Sequence, residues 1–366
     1  MKTYEVIVVG GGPAGATAAR RLARQGFGVL LLEKEIFPRH KPCGGALSPK
    51  TYSQLDFDIS DLIKARVRRT LVRGPGKPFV LESQDTEIWI VSRDELDLRL
   101  LDQASQAGAV VQQGEPVEAV LAGGEGVVTA GGEYRARVLV GADGYRSLVA
   151  RSVGLEYLQP RLFRSLQLEC STEGKPRTEA ILDFAYPGGY AWLFPEGDLV
   201  NVGICTGRKG WSLKPRLAAF LQREGLDLAC SPVYHSWPIP IGGSPRPLHR
   251  GNVLVVGDAA GLADPILGEG IAYAIMSAQL AAVAITDYLK GDSQDLVSYS
   301  DMISRNLNRD LRLLGRGAAL LYRFPRLVLA FLRASPKLQA SAFRVLSGRR
   351  SLSGLWGEKG ISSLSR

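Results

Sequence analysis

Asp258 lies far from the N-terminus, in Gly257-Asp258-Ala259-Ala260-Gly261-Leu262-Ala263-Asp264-Pro265-Ile266-Leu267-Gly268-Glu269-Gly270, directly after the apolar run Val253 to Val256. A carboxylate at the end of a buried strand can accept hydrogen bonds from the hydroxyls of a sugar alcohol. At the other end of the chain, Gly10-Gly11-Gly12-Pro13-Ala14-Gly15 follows the β-branched run Val6 to Val9. That loop suits a pyrophosphate and its adenosine, but a dinucleotide has two ends. With Asp258 on a ribityl chain, the pair of motifs reads as a site for FAD.

The elements that must position these residues are legible around them. Val6 to Val9 reads as a strand, and Ala16 to Arg24 has helix-forming composition. Between them Gly10 permits a tight turn, Gly12 lets backbone approach phosphate, and Gly15 lets the helix pack on the strand, with the phosphate at the helix N-terminus. Pro13 and Ala14 complete the loop. Val29 to Leu32 forms the next strand, ending at Glu33 and Lys34, and Glu33 is placed to accept from ribose hydroxyls.

The chain has 366 residues, 45% hydrophobic and 22% charged, enough for two domains with their own cores. No 20-residue stretch lacks charge, and the N-terminus enters a strand without a leader pattern, so a cytoplasmic location is expected. Cys43, Cys170, Cys205 and Cys230 are far apart with no Cys-x-x-Cys, and His40, His235 and His249 have no ligand spacing. Neither a metal site nor a disulfide framework is indicated.

The net charge of +9 is carried by the C-terminal part, where residues 301 to 366 hold 13 Lys and Arg against 3 Asp and Glu. Arg305, Arg309, Arg312, Arg316, Arg323, Arg326, Arg333 and Lys337 share one helical arc, interrupted at Pro325 and Pro336. This is the face of a solvated helix or of one that meets anionic headgroups or a diphosphate, with peripheral membrane contact through 301–340 on the inner face. No aromatic-basic interleaving accompanies it, so nucleic acid is not expected.

Glycines at 123–126 and 131–132 read as hairpin turns. Ser92 caps a helix starting at Arg93 and running to Gly108, which places Arg93 for a salt contact with the pyrophosphate. Val138 to Gly141 is another buried strand, followed by Ala142-Asp143-Gly144. From about 155 to 248 alternating runs such as Ala180 to Tyr186, Ala191 to Phe194 and Leu199 to Cys205 predict an antiparallel sheet. Ile271 to Leu289 is a long Ala-rich helix whose first amides, after Gly268-Glu269-Gly270, can face bound ligand.

The GGGPAG loop with Glu33, the Arg93 helix, the VGADG strand and the GDAAG motif together resemble the flavoproteins typified by para-hydroxybenzoate hydroxylase. Pro38-Arg39-His40-Lys41-Pro42-Cys43-Gly44-Gly45-Ala46 and Gly189-Tyr190-Ala191-Trp192-Leu193-Phe194-Pro195 narrow the resemblance to geranylgeranyl reductases. Ala46 departs from the pattern, since many relatives carry a third glycine there. The resemblance spans residues 6 to about 290. It implies that Cys43, Gly44, Gly45 and Ala46 border the flavin ring, with Asp143, Gly257, Asp258, Pro265, Gly268, Glu269, Gly270 and Ile271 also at the cofactor. It further implies that Tyr190, Trp192, Phe194 and Pro195 meet a prenyl chain, with Cys43 and Tyr190 as candidates for proton transfer beside water.

The expected architecture is α/β. It has a discontinuous Rossmann-type FAD-binding domain (1–152, with a substrate-side insertion at about 45–92, and 249–300), an antiparallel-sheet substrate domain (153–248) and a basic helical C-terminal segment (301–366). The expected function is FAD-dependent reduction of carbon-carbon double bonds in a polyprenyl chain on a diphosphate, lipid or quinone. An external donor, NAD(P)H or ferredoxin, is required because no second nucleotide fold is present. The rival readings are a monooxygenase or halogenase of the same fold and a flavin-binding membrane accessory protein.

Overall fold

The computed structural model describes residues 2–82, 87–156, 161–172, 174–226, 233–243 and 247–346. Cys230 lies outside the described residues. The chain forms two compact units: Met1–His40, Asp94–Pro160 and Pro240–Arg312 make the first, and Lys41–Arg93, Arg161–Ile239 and Leu313–Arg366 the second.

In the first unit, the strand Lys2–Val9 lies between Val29–Glu33 and Gly132–Gly141 and runs parallel to both. Val253–Val255 continues the parallel set beyond Gly132–Gly141, and Val110–Gln113 does so beyond Val29–Glu33. Val6 to Val9 and Val29 to Glu33 are buried throughout, the pattern of strands covered on both faces. The glycine-rich turns at 121–126 and 130–132 deliver antiparallel strands Val117–Val120 and Gly126–Thr129 onto Gly132–Gly141. The helices Pro13–Arg24 and Ile271–Lys290 pack against one another. Ile271–Lys290 is long and apolar enough to cross a membrane, but 72% of its apolar window is buried, as befits a core helix.

The second unit is built on a seven-stranded sheet in the order His235–Ile241, Arg161–Ser171, Leu199–Thr206, Gly189–Glu196, Ala180–Asp183, Arg69–Arg73, Phe79–Glu82. The sheet is mixed, since Ala180–Asp183 and Arg69–Arg73 run parallel. That pairing explains why residues 41–93 group with this unit: two of their strands complete its sheet, a long-range pairing that no local periodicity announces. A three-stranded sheet, Ala46–Leu47, Ile88–Val91 and Ile63–Val67, belongs to the same segment.

On one face of the large sheet Ala191, Leu193, Val200, Val202 and Ile204 meet Leu217, Phe220 and Leu221 of the helix Lys214–Arg223. Strand alternation sends Tyr190, Trp192 and Phe194 to the other face. Two buried acids anchor the same helix: Asp183 pairs with Arg223, and Glu224 with Arg73 and Arg223.

The C-terminal helices are Arg309–Arg323, Pro325–Ala334 and Pro336–Leu346. Pro325 and Pro336 open the last two. There the missing N–H costs nothing, whereas within a continuous helix it would break the ladder. The basic stretch is thus divided at Arg312 between the units rather than set apart from 301 onward.

Candidate functional site

Within the first unit the structure joins the two distant glycine motifs. Gly10 has φ +104°, and a side chain there would strike the Ala142 carbonyl. A Cβ on Gly15 would collide with the Gly10 carbonyl oxygen. A Cβ on Gly257, which has φ +59°, would lie 3.0 Å from the Ala14 Cβ and 3.4 Å from the Ala274 Cβ. The late motif therefore rests on the first turn of Pro13–Arg24 and on the helix that follows Gly270. Asp258 stands at that second helix N-terminus, with Oδ1 3.4 Å from where a Gly270 Cβ would be.

Gly12 is different from its neighbours. A Cβ there would have only the Arg39 Nη2 within 4 Å, at 3.8 Å. Its backbone faces open space beside helix amides that have no partner further back in the helix. Arg39 also lies 3.1 Å from the fully buried carboxylate of Asp97, and its Nη1 is buried without a partner among the described residues. A guanidinium so placed fits an anion held at the loop, which is what a pyrophosphate supplies. Sequence reading named Arg39 only within the Cys-Gly-Gly segment and expected a pyrophosphate contact from Arg93. Arg93 is the buried first residue of Arg93–Gln106, the helix that carries Asp97. No periodicity marks Arg39, which lies in an irregular loop.

Glu33 is buried and oriented by two backbone amides, Gly11 N donating to Oε2 at 2.5 Å and Glu35 N to Oε1 at 2.9 Å. Each oxygen keeps a lone pair for a ribose hydroxyl. The Lys34 side chain is 70% exposed, 3.9 Å from Glu35. Asp143 spends one oxygen capping the short helix Leu148–Ser152, accepting from Leu148 N at 2.6 Å and Val149 N at 3.2 Å. Its Oδ1 is buried without a partner among the described residues, and burial holds the carboxyl above its ordinary range, offset in part by Ser147 and the amides. Asp264, likewise named only within its motif, shapes the turn before Gly270. Its Oδ1 accepts from Ile266 N and Leu267 N at 2.7 Å, its N–H donates to the Glu269 carbonyl, and Gly268 N donates back to its own. Pro265 is buried in that turn, and Ile271 is the first residue of the helix.

Within the second unit the Cys43-Gly44-Gly45 segment is pinned to the aromatic face. Gln167 Nε2 and Asn201 Nδ2 both donate to the Cys43 carbonyl, at 3.1 and 3.2 Å. Asn201 Oδ1 in turn accepts the Trp192 indole N–H at 2.9 Å. A Cβ on Gly44 would lie 2.8 Å from the Phe194 ring and 3.2 Å from Trp192 Nε1, so this position must lack a side chain. Gly45 has φ +69° and its carbonyl accepts from Val91 N at 3.0 Å, while Ala46 pairs with Ile90. Tyr190, Trp192 and Phe194 form a continuous aromatic row, with centroids 5.8 and 6.5 Å apart. Trp192 lies across Gly203 of the neighbouring strand, and Tyr190 is buried against Phe184. Pro195 points with Leu193 to the opposite face. The Cys43 thiol is free and half-buried. Lys41 holds its ammonium 2.9 Å from the Trp237 ring centre, a cation-π contact. Gln167 and Asn201 had no signal in the sequence, because buried amides on strands look like any polar residue.

Residues 3–178 match the family described as an FAD binding domain. The geranylgeranyl diphosphate reductase of Rhodobacter capsulatus is 34% identical over 313 residues, covering 80% of this chain and 78% of the relative. The chain belongs to the geranylgeranyl reductase family. The digeranylgeranylglycerophospholipid reductase of Thermoplasma acidophilum is 29% identical over 84% of this chain and 85% of its own. A solved geranylgeranyl bacteriochlorophyll reductase-like protein from the same organism shares the fold, with TM-score 0.79 at 24% identity over 100% of this chain and 96% of that one. This reductase is therefore an FAD-dependent oxidoreductase, and the Gly12, Arg39, Glu33 and Asp258 arrangement is one its cofactor fits.

Proposed function

We propose that this reductase adds hydrogen across carbon-carbon double bonds of a polyprenyl chain borne by a diphosphate, a lipid or a quinone. The observation that carries the reading is the Cys43-Gly44 peptide held by Gln167 and Asn201 against the Trp192 and Phe194 rings. Bound FAD, once reduced by an external donor such as NAD(P)H or ferredoxin, supplies a hydride to an alkene carbon. The chain's own residues bind and orient. In a trans peptide the N–H points opposite the carbonyl, so the clamp on the Cys43 oxygen directs the Gly44 N–H away from the large sheet, free to donate. The aromatic row offers a flat apolar wall that excludes water from a prenyl chain. Cys43, Tyr190 and water are the candidates for the proton that the second alkene carbon takes. A cytoplasmic location belongs to the same proposal.

The test is anaerobic incubation of the holoenzyme with dithionite and geranylgeranyl compounds, read by mass spectrometry. Products heavier in steps of two hydrogens are expected, and Trp192→Ala should lose more rate on long chains than short ones, since lost burial scales at about 25 cal/mol per Å². Loss of turnover in Cys43→Ser or Tyr190→Phe assigns the proton to that side chain, and parental turnover in both assigns it to water. No hydrogen gain by a prenyl diphosphate, ether lipid or menaquinone, with oxygenation of an aromatic compound in air, would overturn the proposal in favour of a monooxygenase.

A further inference from the structure

The sequence draws attention to the arginines near the C-terminus, but the structure shows an apolar surface among them. Five of the eleven large apolar side chains exposed among the described residues fall between 320 and 338. They are Leu320 at 55%, Phe324 at 47%, Leu327 at 58%, Phe331 at 68% and Leu338 at 48%. The helix Pro325–Ala334 shows why they stay exposed. Leu329 packs over Gly74, where a Cβ would strike it, and Arg333 Nη1 donates to the Lys77 carbonyl at 3.1 Å. That seats one side of the helix on the turn between the strands Arg69–Arg73 and Phe79–Glu82. At 100° per residue the opposite side carries Leu327, Ala330, Phe331 and Ala334, with Arg326 and Arg333 along one rim.

The charge around this surface has one sign. Arg316, Arg323, Arg326, Arg333, Lys337 and Arg344 are all exposed, and no Asp or Glu occurs from residue 311 to 346. Solvated phenylalanines and leucines on successive short helices are unfavourable in water, and a uniformly basic rim repels another copy of the same face. A lipid surface meets both needs, since acyl chains accept the apolar side chains while anionic headgroups pair with the rim.

We propose that the end of Arg309–Arg323, together with Pro325–Ala334 and Pro336–Leu346, docks this reductase on the surface of an anionic bilayer. Phe324, Leu327 and Phe331 enter the headgroup boundary, and the arginines lie at phosphate level. None of the exposed residues named here belongs to the aromatic row or to the glycine loops, and vesicle binding is read without turnover, so this proposal stands apart from the substrate assignment.

The experiment is flotation of the full-length holoenzyme with phosphatidylcholine vesicles, with and without phosphatidylglycerol, at low and high salt. The parent should float with the anionic vesicles and only weakly with neutral ones. Leu327→Gln with Phe331→Gln should lower partitioning about tenfold or more at every salt concentration, because it removes apolar burial. Arg316→Gln with Arg326→Gln should remove chiefly the component that salt screens. Both variants should keep full FAD content and parental turnover of soluble geranylgeranyl diphosphate, which tests the substrate reading independently. A parent that stays unbound with anionic vesicles would overturn the proposal, as would equal partitioning of the Leu327/Phe331 variant. So would light scattering that shows a parent dimer split by that variant, since the face would then belong to a second copy.

Discussion

At the residue scale the glycines of the N-terminal loop separate into those the fold needs and one the ligand needs. Gly15→Ala should destabilise the apoprotein, because its Cβ would collide with the Gly10 carbonyl oxygen. Gly12→Ala should fold normally, since its Cβ finds only the Arg39 terminus at 3.8 Å, yet lose affinity for FAD. Thermal melts of the apoproteins and FAD titration of each check this, and an equal effect of both substitutions on apoprotein stability would refute the distinction. Arg39→Gln should weaken FAD binding by about 10- to 100-fold, the worth of a charge-assisted contact. It also removes a cationic partner of the buried Asp97 carboxylate, so Arg39→Gln with Asp97→Asn should recover stability without recovering FAD affinity. Recovery of both would make Arg39 a structural ion pair only.

At the element scale, a few side chains hold irregular segments in place. Asp143 caps Leu148–Ser152 from a buried position that raises its pKa. A carboxyl raised in the folded state stabilises fully below its unfolded pKa, near 3.8, and loses that contribution as pH rises through the folded value. Asp143→Asn keeps an acceptor for the cap amides and removes the buried charge. Its melting temperature relative to the parent should therefore climb as pH rises above 3.8, and a difference that stays constant from there upward would contradict the assignment. Asn201 links two elements, donating to Cys43 and accepting from Trp192. Asn201→Leu leaves the indole N–H unpaired and should cost about 1–3 kcal/mol in urea unfolding. If the Gly44 N–H meets the flavin, the visible flavin spectrum should shift as well. A stability loss with an unchanged spectrum would confine Asn201 to packing.

At the scale of the whole molecule, the two units report separately. Trp89, Trp192, Trp211 and Trp237, the tryptophans among the described residues, all fall in the second unit, while the FAD-fitting loops are in the first. Tryptophan emission should therefore follow the second unit during denaturation, and flavin release the first. Arg223→Gln removes the cation paired with the buried Asp183 carboxylate, which keeps the Ala185 amide, and should cost about 2–3 kcal/mol, less than a fully buried pair because Arg223 is half-exposed. The tryptophan transition should move to lower denaturant, with FAD affinity unchanged. Excess FAD should shift the flavin-release transition upward by mass action, by about 2.7 kcal/mol at 100 times its Kd. A single transition moved equally by both would show that the units unfold as one.

The sequence by itself determined the local grammar of this protein and its cofactor. Val6 to Val9, the glycine loop and Pro13–Arg24 follow from β-branched composition, turn chemistry and helix propensity, each local in the chain. Alternation along Gly189–Glu196 likewise placed Tyr190, Trp192 and Phe194 on one face. Tertiary structure decided what depends on partners far along the chain: Arg39 beside Gly12, Gly257 against Ala14, and Gln167 and Asn201 on the Cys43 carbonyl. It also decided that Arg69–Arg73 enters the large sheet beside Ala180–Asp183, and that Leu327 and Phe331 face outward while Leu329 is buried. An isolated loop arginine, a strand amide or a leucine on a short helix carries no period of its own. Its role is fixed by the neighbour it meets, and that neighbour exists only once the chain has folded.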